Sequence, residues 1–253
     1  MDDNQLLRYS RQIMLPGVGV EGQERLRNAH AVVMGVGGLG SPAAAYLAAA
    51  GVGRLTLVDP DHVEVSNLQR QILHGEPDLG RDKVASAADR LAALNPACRV
   101  EARAEALDAT AMTALFAGAD VVLDGTDNFT SRGEISRAAL ETGTPLVSGA
   151  VIRFEGQLTT FDYRDPDAAC YHCLYGEGGG DEDTCSASGV LASLPGVVGS
   201  LQATEGLKLL IGLPILAGRL LILDGLAMQF REIRLRRDPH CPVCGARPPA
   251  TPG

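Results

Sequence analysis

No long run of lysine and arginine occurs in this 253-residue chain, whose formal net charge is −9 and whose pI is near 5.0. That balance argues against DNA, RNA or an anionic membrane surface as a partner, while leaving room for local cationic pockets. The chain also lacks an uninterrupted apolar stretch of about 20 residues, the length a spanning helix needs. Its most apolar segment, residues 209–223, is broken by Gly212, Pro214, Gly218 and Arg219 and reads as helix, turn and strand. Met1-Asp2-Asp3-Asn4-Gln5 is acidic and polar where an export signal would be basic and then apolar, so a cytoplasmic protein is expected. There is no internal repeat and no long linker. What remains is a globular composition, 45% hydrophobic, able to bury a full core as one large domain or a domain with a small module.

The organising stretch is 31–59. Ala31-Val32-Val33-Met34 suits a buried parallel strand, and Gly35-Val36-Gly37-Gly38-Leu39-Gly40 follows without a break. The glycines let backbone N–H groups approach a phosphate. Residues 41–50 then form a small-residue helix whose N-terminus directs positive partial charge at that phosphate. Residues 54–58 are the next strand, ending in Asp59, an acid about 20 residues beyond the glycines, where a ribose hydroxyl would be held. Such a turn serves nicotinamide and flavin enzymes as readily as users of ATP, so it does not choose among them.

Around this unit, residues 6–15 and 21–28 have helical spacing with Pro16-Gly17 between them, which predicts two short helices ahead of the first strand. Arg8-Tyr9-Ser10-Arg11-Gln12 lies in the first; its arginines read either as a solvated face or as an arm carrying a cation into a neighbour's site. After Asp59 and Asp61 comes Ser66-Asn67-Leu68-Gln69-Arg70-Gln71, too polar for a buried strand and charged in its middle, a functional loop. Residues 81–94 form an amphipathic helix with Lys83 in its first turn, where the dipole disfavours a cation by roughly a few tenths of a kcal/mol unless an anion is bound. A strand at 99–101, a helix at 109–117 and a strand at 121–124 lead into Gly125-Thr126-Asp127-Asn128. Asp127 thereby sits at the carboxyl end of a strand, where open parallel sheets gather ligands. A helix at 130–141 and a strand at 146–148 complete a second βαβ unit. Beyond Gly149 the alternation at 157–161, 220–223 and 229–235 suits antiparallel strands, with a helix at 197–211, and the polar segment 165–184 reads as a mobile loop over one face. The expected fold is α/β, a doubly wound Rossmann-like mixed sheet whose parallel N-terminal half is extended by antiparallel strands.

Four of the six cysteines form two C-x-x-C pairs, Cys170-Tyr171-His172-Cys173 and Cys241-Pro242-Val243-Cys244. Each spacing lets a tight turn present two sulfurs to one tetrahedral zinc, so a closed, structural four-cysteine zinc site is expected, tying the crossover segment to the C-terminal tail. A redox C-x-x-C is the competing reading, though neither pair opens a helix after a thioredoxin-like strand. His172 and His240 read as turn residues, and Cys98 as core or strand edge. Cys185 is a candidate nucleophile, although Asp181, Glu182 and Asp183 oppose its thiolate.

Taken in order, Arg8-Tyr9-Ser10-Arg11-Gln12, the glycine turn, Ser66 to Gln71, Thr126-Asp127-Asn128 and both cysteine pairs closely resemble the MoeB/ThiF family, relatives of the ubiquitin-activating enzymes. The resemblance runs from about residue 6 to 245 and implies one domain over 1–253: a helical arm (1–28), a nucleotide-binding half (29–150) and a carrier-binding and zinc half (151–253). It implies an adenylyltransferase: the C-terminal Gly-Gly carboxylate of a small ubiquitin-like sulfur carrier, MoaD-like or ThiS-like, attacks the α-phosphate of ATP, giving an acyl-adenylate and pyrophosphate for later sulfur transfer in molybdopterin or thiamine biosynthesis. By resemblance, Gly35, Gly37, Gly38 and Gly40 let the backbone approach ATP, Asp59 holds the ribose with Asp61 as a second polar contact, Asn67, Arg70 and Lys83 contact the phosphates, and Ser66 and Gln69 join the ATP contacts. Asp127, with Asn128 beside it, would bind Mg2+, and Arg11 would reach the triphosphate from the other subunit of a homodimer. Two features depart from the pattern: Gly125 stands where members often have cysteine, and the loop before Cys185 is unusually glycine-rich and acidic. Cys185 matches a position that joins covalently to the carrier in the thiamine branch and is dispensable in the molybdopterin branch. No appended rhodanese-like domain follows, so a separate protein is expected to donate sulfur. Two other readings stay open: an NAD-dependent oxidoreductase, from the glycine turn and Asp59, and a non-catalytic zinc-stabilised binding module.

Overall fold

The protein is described here by a computed structural model, over residues 1–176 and 188–247. The N-terminal segment forms three short helices, α1 (Asp3–Arg8), α2 (Ser10–Ile13) and α3 (Gly19–Asn28), rather than the two that its spacing predicts. The break falls at Tyr9, with φ −99° and ψ 8°. Burial of its side chain redirects the chain there: Tyr9 is 5% exposed, and its hydroxyl accepts a hydrogen bond from Asn95 Nδ2 at 2.9 Å.

The strand–turn–helix–strand unit follows as β1 (His30–Met34), α4 (Gly40–Ala49) and β2 (Arg54–Val58). Then come α5 (Lys83–Leu94), β3 (Arg99–Arg103), α6 (Ala109–Phe116), β4 (Val121–Asp124), α7 (Phe129–Thr142) and β5 (Leu146–Ile152). The second half adds β6 (Glu155–Phe161), α8 (Tyr171–Tyr175), α9 (Ser193–Ile211), β7 (Arg219–Asp224) and β8 (Gln229–Arg234). One eight-stranded sheet results, in the order β3-β2-β1-β4-β5-β6-β7-β8, parallel from β3 to β5 and antiparallel from β5 to β8. Part of 165–184 differs from the loop expected there, because Tyr171–Tyr175 is helical and Tyr171 is buried; Cys185 and residues 177–184 of that loop lie outside the described residues. No described helix is long and apolar enough to cross a membrane.

Helices cover both faces of the central strands, which is why β1 and β4 are buried at every position and read as unbroken apolar runs. Successive residues serve opposite layers: Val33, Leu55, Leu57 and Leu123 pack with Leu47 and Leu91 on one face, and Val32 and Val122 with Phe116, Ile135 and Phe161 on the other. α9 crosses α4, so the antiparallel half is tied to the helix that follows the glycine turn.

That turn tolerates no side chain at Gly40, where a Cβ would lie 1.8 Å from the carbonyl oxygen of Gly35. Gly133, inside α7, has nothing within 4 Å of its Cβ position. Gly40→Ala is therefore expected to destabilise the fold by about 2–3 kcal/mol through backbone overlap, and Gly133→Ala to stabilise it by about 0.5–1 kcal/mol through helix propensity. Urea unfolding of the two variants beside the unmutated chain checks both signs.

His30 supplies a pH dependence. Its Nδ1 is 2.7 Å from the Gly118 carbonyl and its Nε2 2.8 Å from Thr56 Oγ1. The carbonyl accepts only, so in the neutral ring Nδ1–H donates and Nε2 accepts from the threonine. Burial holds the pKa of His30 below its ordinary value. The unfolded chain then binds this proton first, so stability is unaffected above about pH 6.5 and falls as the pH drops below it. Unfolding at pH 7.5 and 5.5 is expected to show a smaller acid loss in His30→Gln than in the unmutated chain.

Candidate functional site

The carboxyl ends of β1, β2 and β4 open onto a cleft of about 400 Å³. A gathering of this kind follows from the topology, because β1 and β4 are neighbours in the sheet but send their following helices, α4 and α7, to opposite faces and leave a crevice between them. The glycine turn forms one wall, with Gly35, Gly37 and Gly38 lining the cleft, and the β4–α7 connection forms another, with Thr126, Asp127 and Asn128. Leu39 and Ser131 also line it, so the N-termini of α4 and α7 both face the cleft with their partial positive charge. Asn128 caps α7, its Oδ1 accepting the Ser131 N–H at 2.8 Å.

Asp59 is 5% exposed at the end of β2. Its Oδ2 accepts the Val36 N–H at 2.7 Å and its Oδ1 the Asp61 N–H at 2.9 Å. Burial raises its pKa above the ordinary carboxylate value, opposed by the Lys83 charge and these two amides. Lys83, the first residue of α5, lines the cleft with its side chain 8% exposed and its Nζ 2.8 Å from Asp61 Oδ2. Arg70 lines it as well, its Nη1 donating to the Ser66 carbonyl at 2.9 Å.

Nine of the residues singled out in the sequence thus share one cleft: Gly35, Gly37, Gly38, Asp59, Asp61, Arg70, Lys83, Asp127 and Asn128. Others stand outside its lining. Gly40 is buried at the start of α4, where its missing Cβ permits the turn. Asn67 is buried and shapes its own loop: its Oδ1 accepts the Glu64 N–H at 3.2 Å and its Nδ2 donates to Ser66 Oγ at 3.4 Å. Ser66, Gln69 and Arg11 are exposed.

Sequence reasoning gave no site role to Asp124, Arg132 or Gln71, although Gln71 closes the loop it singled out. Asp124 is buried at the end of β4, accepts from the Thr126 N–H and hydroxyl at 3.0 and 2.7 Å, and has its pKa raised by burial against the opposing charge of Arg132. Arg132 donates from Nε and Nη2 to the Thr126 carbonyl, at 3.2 and 2.8 Å, bracing the wall that carries Asp127. Arg132 lies four residues beyond the α7 cap, a spacing that returns a side chain to the strand end and could have singled it out. Gln71, 4% exposed, lines the cleft beside Gly37.

A second cluster lies away from the cleft. The sulfurs of Cys170, Cys173, Cys241 and Cys244 all lie within 4.8 Å of one another, with Sγ separations of 3.8 Å (170–173), 3.7 Å (170–241) and 3.4 Å (173–244). Four thiolates at a Zn–S distance of about 2.3 Å in a tetrahedron stand about 3.8 Å apart, so the donor set is compatible with zinc. Asp238 N–H points to Cys173 Sγ at 3.4 Å, and Arg237 Nη2 donates to the carbonyls of Cys244 and Gly245 at 2.8 and 3.2 Å, holding the tail's turn in place. Neither His172, which lies in α8 rather than in the turn expected for it, nor His240 belongs to the cluster among the described residues.

The ThiF family pattern matches residues 9–243. The chain is 49% identical over 247 residues to the molybdopterin-synthase adenylyltransferase of Salmonella typhimurium, covering 97% of this chain and 98% of that protein. It is 44% identical over 246 residues to the sulfur carrier protein ThiS adenylyltransferase of Escherichia coli, covering 97% of each. A crystal structure of E. coli MccB with ATP superposes with a TM-score of 0.81 over 94% of this chain and 74% of that one, at 22% identity, a likeness of fold. With the family pattern spanning nearly all of the sequence and two relatives matched from end to end, the chain belongs to the ThiF family.

Proposed function

We infer that the chain is an ATP-dependent adenylyltransferase that activates the C-terminal Gly-Gly carboxylate of a small ubiquitin-like sulfur carrier, MoaD-like or ThiS-like, giving an acyl-adenylate and pyrophosphate. The observation that carries this reading is the cleft in which Arg70, Lys83 and two helix N-termini converge on a glycine turn, in a chain whose full-length relatives are named adenylyltransferases. Neither a nicotinamide-dependent oxidoreductase nor a passive binding module finds support among the relatives.

The reaction brings a carboxylate to a triphosphate. An oxygen of the carrier's carboxylate bonds to the α-phosphorus, the bond from that phosphorus to the bridging oxygen breaks, and the electron pair leaves with pyrophosphate. No strong base is required, because the nucleophile is already ionised at neutral pH. The barrier is electrostatic, and fixed donors around the phosphates lower it without reorganising at the moment of reaction. In this proposal the turn's amides and Arg70 hold the phosphates, and Lys83 leaves Asp61 to join them. Asp59 takes the ribose, while Ser66, Asn67, Gln69 and Asn128 complete the nucleotide contacts. Asp127 would hold Mg2+, which supplies charge neutralisation on the phosphates. Arg11 is exposed on α2 and is not among the residues lining its own cleft, and in the proposal it serves a second copy, which makes the enzyme a homodimer. The four cysteines hold a structural zinc, and a separate protein donates sulfur. Cys185 is retained as the candidate for covalent linkage to the carrier.

Carrier-dependent ATP–pyrophosphate exchange with Mg2+ is the decisive assay. Arg70→Ala, Lys83→Ala and Asp127→Ala are each expected to lower kcat by about 100-fold or more; undiminished exchange in all three, or none in the unmutated enzyme with any carrier, would sink the reading. For the cysteine cluster, elemental analysis is expected to find zinc in the purified chain and to lose it in Cys173→Ser together with a lowered Tm. A metal-free chain of undiminished Tm would rule out the structural role.

A further inference from the structure

His74 lies beneath the glycine turn and takes no part in the contacts proposed above. It follows Arg70 in the same loop, its N–H bonded to the Gln71 carbonyl at 3.0 Å, and it is 7% exposed. The ring bridges two elements of the cleft: Nε2 is 3.1 Å from the carbonyl oxygen of Val36, and Nδ1 is 2.9 Å from Ser86 Oγ. A carbonyl only accepts, so Nε2 carries the hydrogen, and in the neutral ring Nδ1 accepts from the serine hydroxyl. Ser86 stands three residues beyond Lys83 in α5, and Val36 stands between Gly35 and Gly37 in the turn.

We propose that His74 is a positioning residue that preorganises the phosphate-facing turn and keeps it in register with the helix that carries Lys83. The proposal rests on reading the cleft as an ATP site. Val36 is the only residue of the run Gly35-Val36-Gly37-Gly38 that is not glycine, and its backbone is held on both sides. Its N–H is taken by Asp59 Oδ2 at 2.7 Å, and its carbonyl is shared by His74 and Ser41 Oγ, the latter at 3.1 Å. Glycines on either side, one of them with φ +80°, give an untethered turn many conformations of similar energy. With Val36 anchored to β2, α4 and α5 at once, that freedom is removed before ATP arrives. Without the His74 anchor, nucleotide binding has to order the turn itself, which weakens affinity while leaving the chemical groups in place.

Three substitutions separate this role from simple core filling. His74→Gln offers an amide N–H at about the reach of Nε2, His74→Asn offers one at about the reach of Nδ1, and His74→Leu fills the volume with no donor. Calorimetric titration with Mg-ATP is expected to show affinity weakened about fivefold to tenfold in His74→Leu and His74→Asn, with His74→Gln within about twofold of the unmutated chain. In exchange assays the KM for ATP is expected to rise in the same pattern while the KM for the carrier stays put. The proposal is overturned if His74→Asn binds ATP as well as His74→Gln does, or if both bind it as the unmutated chain does. Should His74→Leu fail to fold, as thermal melting would reveal, the Gln and Asn pair decides alone. Because the titration reads ATP directly, an enzyme that binds ATP but adenylates no carrier would sink the adenylation reading and still test the role of His74.

Discussion

Three backbone segments meet without side chains at the head of β1, and the site depends on that approach. A Cβ at Gly40 would lie 1.8 Å from the Gly35 carbonyl oxygen, and one at Gly125 would lie 2.9 Å from the Gly40 nitrogen. The close contact turns β1 into α4 within a few residues and sets the end of β4 beside the turn. One crevice thereby receives two helix N-termini and the loops after three strands. Glycine at 125, where the family resemblance leads one to expect cysteine, suits this approach, because a Cβ there would crowd the Gly40 and Gly35 backbone.

Charge in the cleft is held by neighbours rather than left loose. Lys83 pairs with Asp61, Asp59 commits an oxygen to each of two backbone amides, and Arg132 is bonded to the Thr126 carbonyl. Buried charge is costly unless paired or hydrogen-bonded, so these partners stabilise the residues in the orientations the crevice requires. They also grade the groups by role: an ion pair with the exposed Asp61 can exchange for an anion, whereas Arg132, bonded twice to a backbone carbonyl, braces the wall.

The cysteine cluster reaches toward the same wall. Cys170 precedes α8 and Cys173 lies within it, and the ring of Tyr171 packs 4.5 Å from that of Tyr175, which in turn meets Phe129 at the start of α7 edge-on at 6.2 Å. Arg132 sits 5.9 Å from the centroid of the Phe129 ring. A continuous set of packed side chains therefore joins the segment that binds the C-terminal tail to the helix bearing Asn128 as its cap. The contact gives the tail, poor in apolar residues, a firm attachment to the core.

Strands, helices and the glycine turn were legible in the sequence because their signals are local: an apolar run, a change of period, or a residue type that alone permits a backbone path. β2 and β4 match their expected bounds, and the C-x-x-C spacings announced the four-sulfur cluster. What the sequence could not assign was the division of labour among neighbouring polar residues. Asn67 and Gly40 carry the same local signals as Arg70 and Gly38, yet the first pair builds the loop and the turn while the second lines the cleft. Tyr9 interrupts a helix that its own segment favours, because burial of the ring against α4 and α5 outweighs local propensity. His74 and Arg132 acquire their partners only when loop, turn and helix pack together. The sequence by itself determined the elements and the chemistry available; the tertiary structure decided which side chains face the cleft and which support it, since that choice depends on contacts between residues far apart in the chain.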